Sequence, residues 1–435
     1  MLGVFTLGNA ILHFIVSSII FSRKLADKSL LYLISGLVLV FITLAIPVQL
    51  DGNWVTLIWA GEAALLFWIG RTKNVSFYEK LSYILMVLAF SSILHDWTTV
   101  YDTYNTENPE TRITPVFNIN FLTSLLFISA FGFISYLNRK KVSITSNDSL
   151  KDLITVISYV VPSILIFSIY YSFQLEIANY WDQLYKDSGI QSSGENQLFT
   201  SFYRNTDLIR FKMIWLINFS LLFVSLIAFV NFIKIKSKEL GAINLLFIAL
   251  SLIVFLIPGL YFLSELRDSY LEQPLSQYYQ RGAFNIGIRY VSLGFVVLSL
   301  VASYLYIRNY FKQKEYKIAF DFLLHTAVLW ILSSELIHWM NMAESTQSYK
   351  LGLSILWGVY SLFLIAVGIW RKNKPLRIGA IVLFGVTLLK LFLYDISHLN
   401  TISKTVVFVS LGILLLVISF LYNKYKHIIS DESEN

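Results

Sequence analysis

Glu62 is the charged residue that lies most clearly within an apolar segment of this sequence. It follows Trp54 by eight residues, which is about 12 Å along a helix that rises 1.5 Å per residue. A charged side chain in hydrocarbon costs roughly 2.5–3.5 kcal/mol on insertion scales, so Glu62 needs a partner or a chemical role. One interpretation is a proton, cation or general acid–base site. The other is a buried hydrogen bond or ion pair between helices, with Lys390, Arg289 or His13 as the partner.

A second set of polar residues follows one later apolar segment, which carries Asp321, His325, Glu335 and His338. At 100° per residue the first three fall within about 80° of one another, as a proton relay across a membrane would require. The simpler interpretation, which we favour, pairs Asp321 with Lys317 four residues earlier and leaves Glu335 and His338 at the wet end of the segment. Glu335 and His338 share a helix face, but without a recognisable third ligand they predict no metal site.

Further acidic and basic side chains lie near the ends of the apolar segments. The candidates for an outward-facing site are Asp96, Asp268, Asp395, Arg281, Arg289 and Lys390, together with Glu62, Glu335 and His338. With the neighbouring tyrosines and tryptophans, such a set suits a phosphate-bearing or sugar-bearing headgroup. The same composition is typical of an interfacial aromatic belt with solvated charges. Spaced apolar residues in 197–211 also predict an interfacial helix on this side, in the position of a lid.

Several classes of chemistry are disfavoured by what the sequence lacks. It has no cysteine, which excludes disulfides and thiolate sites. It shows no Walker loop, Rossmann glycine pattern, paired-histidine zinc motif or hydrolase elbow, so an ATP-driven or soluble-type enzyme is not expected. We predict no cofactor.

The elements that position these residues are apolar helices. Of the 435 residues 56% are hydrophobic and only 14% charged, too few to cover a water-soluble surface. Continuous apolar runs of about twenty residues fit a hydrocarbon core roughly 30 Å thick, and predict an all-α, polytopic transmembrane bundle. The thirteen predicted spans are 1–21, 29–48, 54–70, 80–94, 118–137, 152–173, 212–232, 241–263, 289–307, 318–340, 351–370, 378–394 and 405–422.

The connections between these spans alternate in charge. One set holds 23 of the 34 lysines and arginines, and the other set is longer and rich in Asp, Glu, Asn and Tyr. The positive-inside rule therefore predicts an outside N-terminus and a cytoplasmic C-terminus. The net charge of +7 is thus assigned to membrane topology, and we predict membrane lipids rather than nucleic acid as partners.

An internal repeat of four helices is predicted from recurring landmarks. Trp59, Trp215 and Trp357 occupy the third, seventh and eleventh spans, and a Leu-x-Asp pattern at 94–96, 266–268 and 393–395 ends the span that follows each. We therefore predict one transmembrane domain over 1–427, with parallel units 1–53 (partial), 54–211, 212–350 and 351–427 (partial). Residues 428–435 are predicted to be a disordered cytoplasmic tail. Chance matches between leucine-rich helices are the alternative.

Two stretches carry a resemblance to a known family. They are LDGNW at 50–54 with WAGEAAL at 59–65, and KLFLYD at 390–395 with FVSLG at 408–412. The sequence resembles the predicted bacterial multi-pass membrane proteins called domain of unknown function 2339, mainly over its last eighty residues and 50–71. Typical members also have more helices and an N-terminal soluble part. The resemblance implies the bacterial cytoplasmic (inner) membrane and an uncharacterised activity, and it supplies no catalytic residues.

Three hypotheses for function follow. The first, which we favour, is handling or translocation of an envelope lipid or glycan precursor, a lipid-linked or sugar-bearing ligand, without intrinsic ATP use. The second is an integral-membrane transferase whose outward-facing Asp or Glu lies beside Arg281 or Arg289. The third is a non-catalytic membrane scaffold. The sequence makes no prediction of oligomeric state.

Overall fold

The computed structural model describes residues 2–23, 28–50, 52–101, 103–139, 148–192, 201–345, 349–391, 393 and 401–424. Helices account for 86% of the structure, which confirms the all-α class. The chain divides into two compact units, Met1–Leu208 (unit 1) and Ile209–Asn435 (unit 2).

Within the described residues, unit 1 contains six α-helices, a 3-10 turn at Pro109–Thr111 and a short antiparallel hairpin. The helices are α1 (Leu2–Arg23), α2 (Lys28–Gln49), α3 (Asn53–Lys73), α4 (Ser76–Val100), α5 (Ile119–Arg139) and α6 (Asp148–Asp187). The hairpin pairs β1 (Ile190–Ser192) with β2 (Ser201–Tyr203) in the register Gln191↔Phe202. Ala60, Phe67, Ala89 and Phe127, all buried, form part of a continuous core where α3, α4 and α5 meet.

Unit 2 contains seven helices within the described residues. They are α7 (Asp207–Ile235, which starts just before the unit boundary), α8 (Lys238–Glu272), α9 (Phe284–Asn309), α10 (Lys314–Met342), α11 (Tyr349–Trp370), α12 (Lys374–Lys390) and α13 (Thr401–Lys424). In α8 a π-helical turn at Phe255–Gly259 accommodates Pro258, which has no N–H to donate to the preceding turn. The helix then continues to Glu272.

Each of the thirteen predicted spans overlaps one of these helices within the described residues. Nine of the described helices are long and apolar enough to cross a membrane, so the protein is a multi-pass membrane protein. The direction of insertion stays a prediction. Following it, we call the helix ends near Asp96 and Glu335 the outer ends, and the ends near Arg71 and Arg308 the inner ends.

The outer end of α6 extends well beyond its predicted limit at residue 173. Its 40 residues are about 60 Å long, twice the thickness of a hydrocarbon core. Buried Glu176 accepts hydrogen bonds from the Tyr101 hydroxyl (2.7 Å), Asn118 Nδ2 (2.9 Å) and Val116 N (2.6 Å), which fasten the α4–α5 loop to this extension. Burial, and then the hydrogen bond to the Glu176 carboxylate, raise the pKa of Tyr101.

The predicted interfacial helix over residues 197–211 is wrong in its described part. Ser201–Tyr203 is a β-strand, and α7 begins at Asp207; residues 197–200 lie outside the described residues. Phe202 stacks beneath the Arg204 guanidinium, 4.9 Å from ring centroid to Cζ. Phe202 thus contacts a cation and a strand partner on a β-hairpin, and it stays 55% exposed.

Two helix hairpins, α3–α4 and α11–α12, close with the same turn. The Gly70 carbonyl accepts from Val75 N at 3.0 Å, and the Gly368 carbonyl accepts from Asn373 N at 2.9 Å. Within each turn one residue takes a left-handed conformation, Asn74 (φ 55°) and Lys372 (φ 52°). This similarity of the two turns favours the predicted repeat. The repeat and its boundaries stay predictions. The predicted tail, 428–435, lies outside the described residues.

Replacing Gly70 by alanine is expected to lower the free energy of unfolding by about 1–3 kcal/mol, the usual effect of overpacking. A Cβ at this position would lie 2.7 Å from the backbone nitrogen of Glu79, so α3 and α4 would have to separate. Gly61→Ala in the same helix is the control, because nothing lies within 4 Å of its Cβ position. Thermal unfolding in detergent measures both variants, and equal stability would contradict the close hairpin contact.

Candidate functional site

Three helices of unit 2 bring charged side chains together at their outer ends. Arg289 lies in the second turn of α9 and is 1% exposed. Its Nε donates to Glu335 Oε1 and its Nη2 to Ser334 Oγ, both on α10. Arg267, on α8, is 3% exposed. We call Arg267, Asp268, Arg289, Ser334, Glu335 and His338 the outer polar cluster.

Four nitrogen atoms of this cluster are buried without a hydrogen-bond partner among the described residues. They are Nη1 of Arg267, Nη1 of Arg289, and Nδ1 and Nε2 of His338. The His338 side chain is 1% exposed and lies within range of the charges of Arg289, Glu335, Arg267 and Asp268. A buried polar atom without a partner costs about 1–3 kcal/mol, so four together call for a ligand or ordered water.

The charges of the cluster are unequally exposed. Arg267 donates to Asp268 Oδ1 through Nε (2.9 Å) and Nη2 (2.7 Å), and 43% of the Asp268 side chain is exposed against 4% of the Arg267 side chain. Solvent screens the Asp268 carboxylate, whereas both guanidinium groups are buried. The buried face of the cluster is therefore short of acceptors, and an oxyanion would supply them.

Sequence reasoning identified four members of the cluster: Asp268, Arg289, Glu335 and His338. Arg267 was counted with the charged residues around the outer helix ends but was not among the site candidates, and Ser334 was not identified. Arg267 is the middle residue of the Leu-x-Asp pattern at 266–268, so the pattern carried a signal for it. In α4 and α8 that pattern does not end the helix, which continues four residues past the aspartate, to Val100 and Glu272.

Two other candidates of unit 2, Arg281 and Lys390, make contacts outside the outer polar cluster. Arg281 donates to Ser269 Oγ and to the Pro274 and Tyr279 carbonyls, and so holds the α8–α9 loop. Lys390 donates to Ser354 Oγ at 2.9 Å, joining α12 to α11. Asp395 lies outside the described residues.

Glu62, in unit 1, has a neutral partner. Thr43 Oγ1 on α2 lies 3.0 and 3.1 Å from its two carboxylate oxygens. The predicted hydrogen bond between helices is therefore present, from α2 to α3. The three predicted partners are wrong among the described contacts: Arg289 pairs with Glu335, Lys390 bonds Ser354, and the His13 ring stacks on Phe41. A hydroxyl reaches the carboxylate without placing a second charge in the apolar segment.

Asp96, also in unit 1, belongs to a hydroxyl network. Its Oδ2 accepts from Thr56 Oγ1 at 2.6 Å, and Thr56 Oγ1 lies 2.6 Å from Ser92 Oγ. Beside it, Trp97 Nε1 donates to Ser124 Oγ at 2.9 Å. These contacts tie the outer ends of α3, α4 and α5 together.

The polar residues of α10 do not form one relay. Asp321 accepts from Asn373 Nδ2 at 2.8 Å, and His325 Nδ1 lies 2.9 Å from the Tyr360 hydroxyl. Asp321 thus bonds to the α11–α12 turn and His325 to α11, whereas Glu335 and His338 belong to the outer polar cluster. Among the described residues no group of three or more His, Asp or Glu has the arrangement of a metal site.

Comparison with known proteins identifies a family. The model of a family described as predicted membrane protein (DUF2339) matches residues 2–425. This confirms the resemblance seen at 50–71 and near the C-terminus, and extends it to nearly the whole chain. No curated protein and no solved structure matches the chain.

Proposed function

Because the chain belongs to the DUF2339 family of predicted membrane proteins, whose function is unknown, we propose its activity from the outer polar cluster. We propose that the protein binds the phosphate group of an envelope lipid or lipid-linked glycan precursor there, and handles or translocates that lipid. The observation that carries the proposal is the group of four buried nitrogen atoms without partners on Arg267, Arg289 and His338.

A phosphate fits this group better than an uncharged sugar does. It offers several oxygen acceptors in one compact group, and guanidinium N–H groups bond such oxygens with charge assistance. The cluster lies at the ends of membrane-spanning helices, where a lipid phosphate lies at the boundary of the hydrocarbon. The sequence contains no nucleotide-binding motif, so the proposed handling uses no ATP.

Lipid binding by the purified protein tests the proposal. We expect a polyprenyl phosphate to bind, and the same polyprenol without phosphate to bind at least 10-fold more weakly. Arg267→Gln should weaken phosphate binding about 10-fold, since charge-assisted hydrogen bonds contribute about 1.5–3 kcal/mol. Titration followed by native mass spectrometry measures each affinity.

Arg210→Gln is the matched control for Arg267→Gln. Arg210 lies near the outer end of α7, pairs with Glu265 at 2.8 Å, and has a side chain 24% exposed, so its loss should leave the affinity unchanged. Equal binding of phosphate and alcohol would contradict the proposal. So would equal losses in the two variants, which would leave a membrane scaffold as the better hypothesis.

A transferase is the second candidate, favoured by Glu335 lying beside Arg289 as that hypothesis requires. It predicts that the bound lipid is chemically changed, with transfer of its phosphate-linked group to an acceptor, and that Glu335→Gln stops the change. Recovery of intact lipid after incubation with candidate acceptors would favour handling instead.

A further inference from the structure

Unit 2 also contains a cavity at the opposite ends of α9 and α10 from the outer polar cluster. Its volume is about 720 Å³, and its charged lining residues are Arg308, Lys312, Lys317, Arg371 and Asp321. The cavity thus has four cationic groups and one carboxylate. We call it the inner cavity.

The cations of the inner cavity are available to a ligand. Arg308, Lys312, Lys317 and Arg371 are all exposed, and none forms an ion pair within the part of the chain that the structure describes. The single carboxylate, Asp321, accepts from Asn373 Nδ2. The charge of the lining is therefore complementary to an anion.

On the side of the charged residues that faces the outer ends of α9 and α10, the lining of the inner cavity is apolar. Val297, Val301 and Tyr304 follow one another along α9 at helical spacing, and each is about half exposed. Phe320 and Leu324 on α10 face the same cavity. From Arg308 to Val297 is eleven residues, about 16 Å, close to half the thickness of a hydrocarbon core.

We infer that the inner cavity binds one anionic phospholipid of the leaflet next to the basic loops. The four cations would hold the phosphate, and the apolar wall of α9 and α10 would cover an acyl chain. A free phosphate would leave the wall exposed to water, and a neutral lipid would leave the cations uncompensated. This inference goes beyond the proposed function, which concerns the outer polar cluster, and does not depend on it.

Titration of the purified protein with phosphatidylglycerol tests the inference, with phosphatidylcholine of the same acyl chains as the uncharged comparison. Native mass spectrometry should show at least 10-fold tighter binding of phosphatidylglycerol. Arg308→Gln combined with Arg371→Gln should weaken that binding about 30-fold, the effect expected for two basic groups near a lipid phosphate. Val301→Trp, which leaves every charge in place but fills the apolar wall, should weaken it as well.

The control is Lys372→Gln combined with Lys374→Gln, which removes two exposed cations of the adjacent turn that do not line the cavity. The affinity of this control variant for phosphatidylglycerol should stay within about threefold of that of the unmodified protein. A loss equal to that of the Arg308 and Arg371 variant would overturn the inference. Equal binding of the two lipids would also overturn it, as would glycerol phosphate binding as tightly as phosphatidylglycerol. Arg267→Gln should leave the affinity for phosphatidylglycerol unchanged. A loss as large as that of the Arg308 and Arg371 variant would place the lipid at the outer polar cluster and overturn the inner site.

Discussion

Arg289→Ala is expected to destabilise the protein more than any other single change considered for the outer polar cluster, by roughly 3–5 kcal/mol. The guanidinium is 1% exposed and bonds Glu335 and Ser334 on α10. Its removal leaves the Glu335 side chain, only 19% exposed, without its cation. Chemical unfolding in detergent micelles, followed by tryptophan fluorescence, measures the change.

A double variant distinguishes the contribution of the ion pair to stability from that of the surrounding packing. Arg289→Met with Glu335→Met removes both charges and should recover most of the lost stability, because an apolar pair of similar volume often replaces a buried ion pair without cost. Arg210→Gln, which breaks a pair whose side chains are 24% and 33% exposed, should cost no more than about 1 kcal/mol. A loss in Arg289→Ala as small as that in Arg210→Gln would contradict the buried pair.

The positions of the helices could be predicted because their signal is local. A run of about twenty apolar residues is sufficient evidence for a spanning helix. The outer limit of α6 could not be predicted in this way, because the part of the helix beyond residue 173 is polar. Contacts such as Glu176 with Tyr101 and Asn118 stabilise that extension, and they join residues more than fifty positions apart in the sequence.

The sequence indicated which residues lie in the candidate site better than it indicated which residues they bond. Arg289, Glu335 and His338 were identifiable because charged residues are rare in apolar segments. Their pairing depends on the rotation of α9 against α10, which the sequence does not specify. For Glu62 the available cations suggested an ion pair, whereas the structure supplies the Thr43 hydroxyl, a partner that no charge pattern reveals.

The two proposed sites lie on the same pair of helices. From Arg289 to Arg308 along α9 is 19 residues, about 28 Å, and from Lys317 to His338 along α10 is 21 residues, about 32 Å. Both lengths match a hydrocarbon core of roughly 30 Å, so the two helices place a cationic site near each boundary. In α10 only Ala327 and His338 are buried among the described residues, and most of its other residues between the two sites are half-buried.

His338→Phe is expected to raise the stability of the lipid-free protein by about 1–3 kcal/mol, while weakening polyprenyl phosphate binding at least 10-fold. Both nitrogen atoms of this ring are buried without a partner among the described residues, so an apolar ring removes a desolvation cost. The same change removes ring N–H donation from the proposed phosphate site. Thermal unfolding and lipid titration of one preparation measure the two effects.

His325→Phe on the same helix is the matched control for the stability change. Its Nδ1 lies 2.9 Å from the Tyr360 hydroxyl, so the substitution leaves that hydroxyl only its 3.5 Å contact with the carbonyl of residue 325 and should destabilise the protein. If His338→Phe raises the free energy of unfolding and His325→Phe lowers it, then His338 is kept at a cost to stability, as a binding residue can be. Destabilisation at both would mean that His338 also has a partner in the folded protein, such as ordered water, and its role would then be structural.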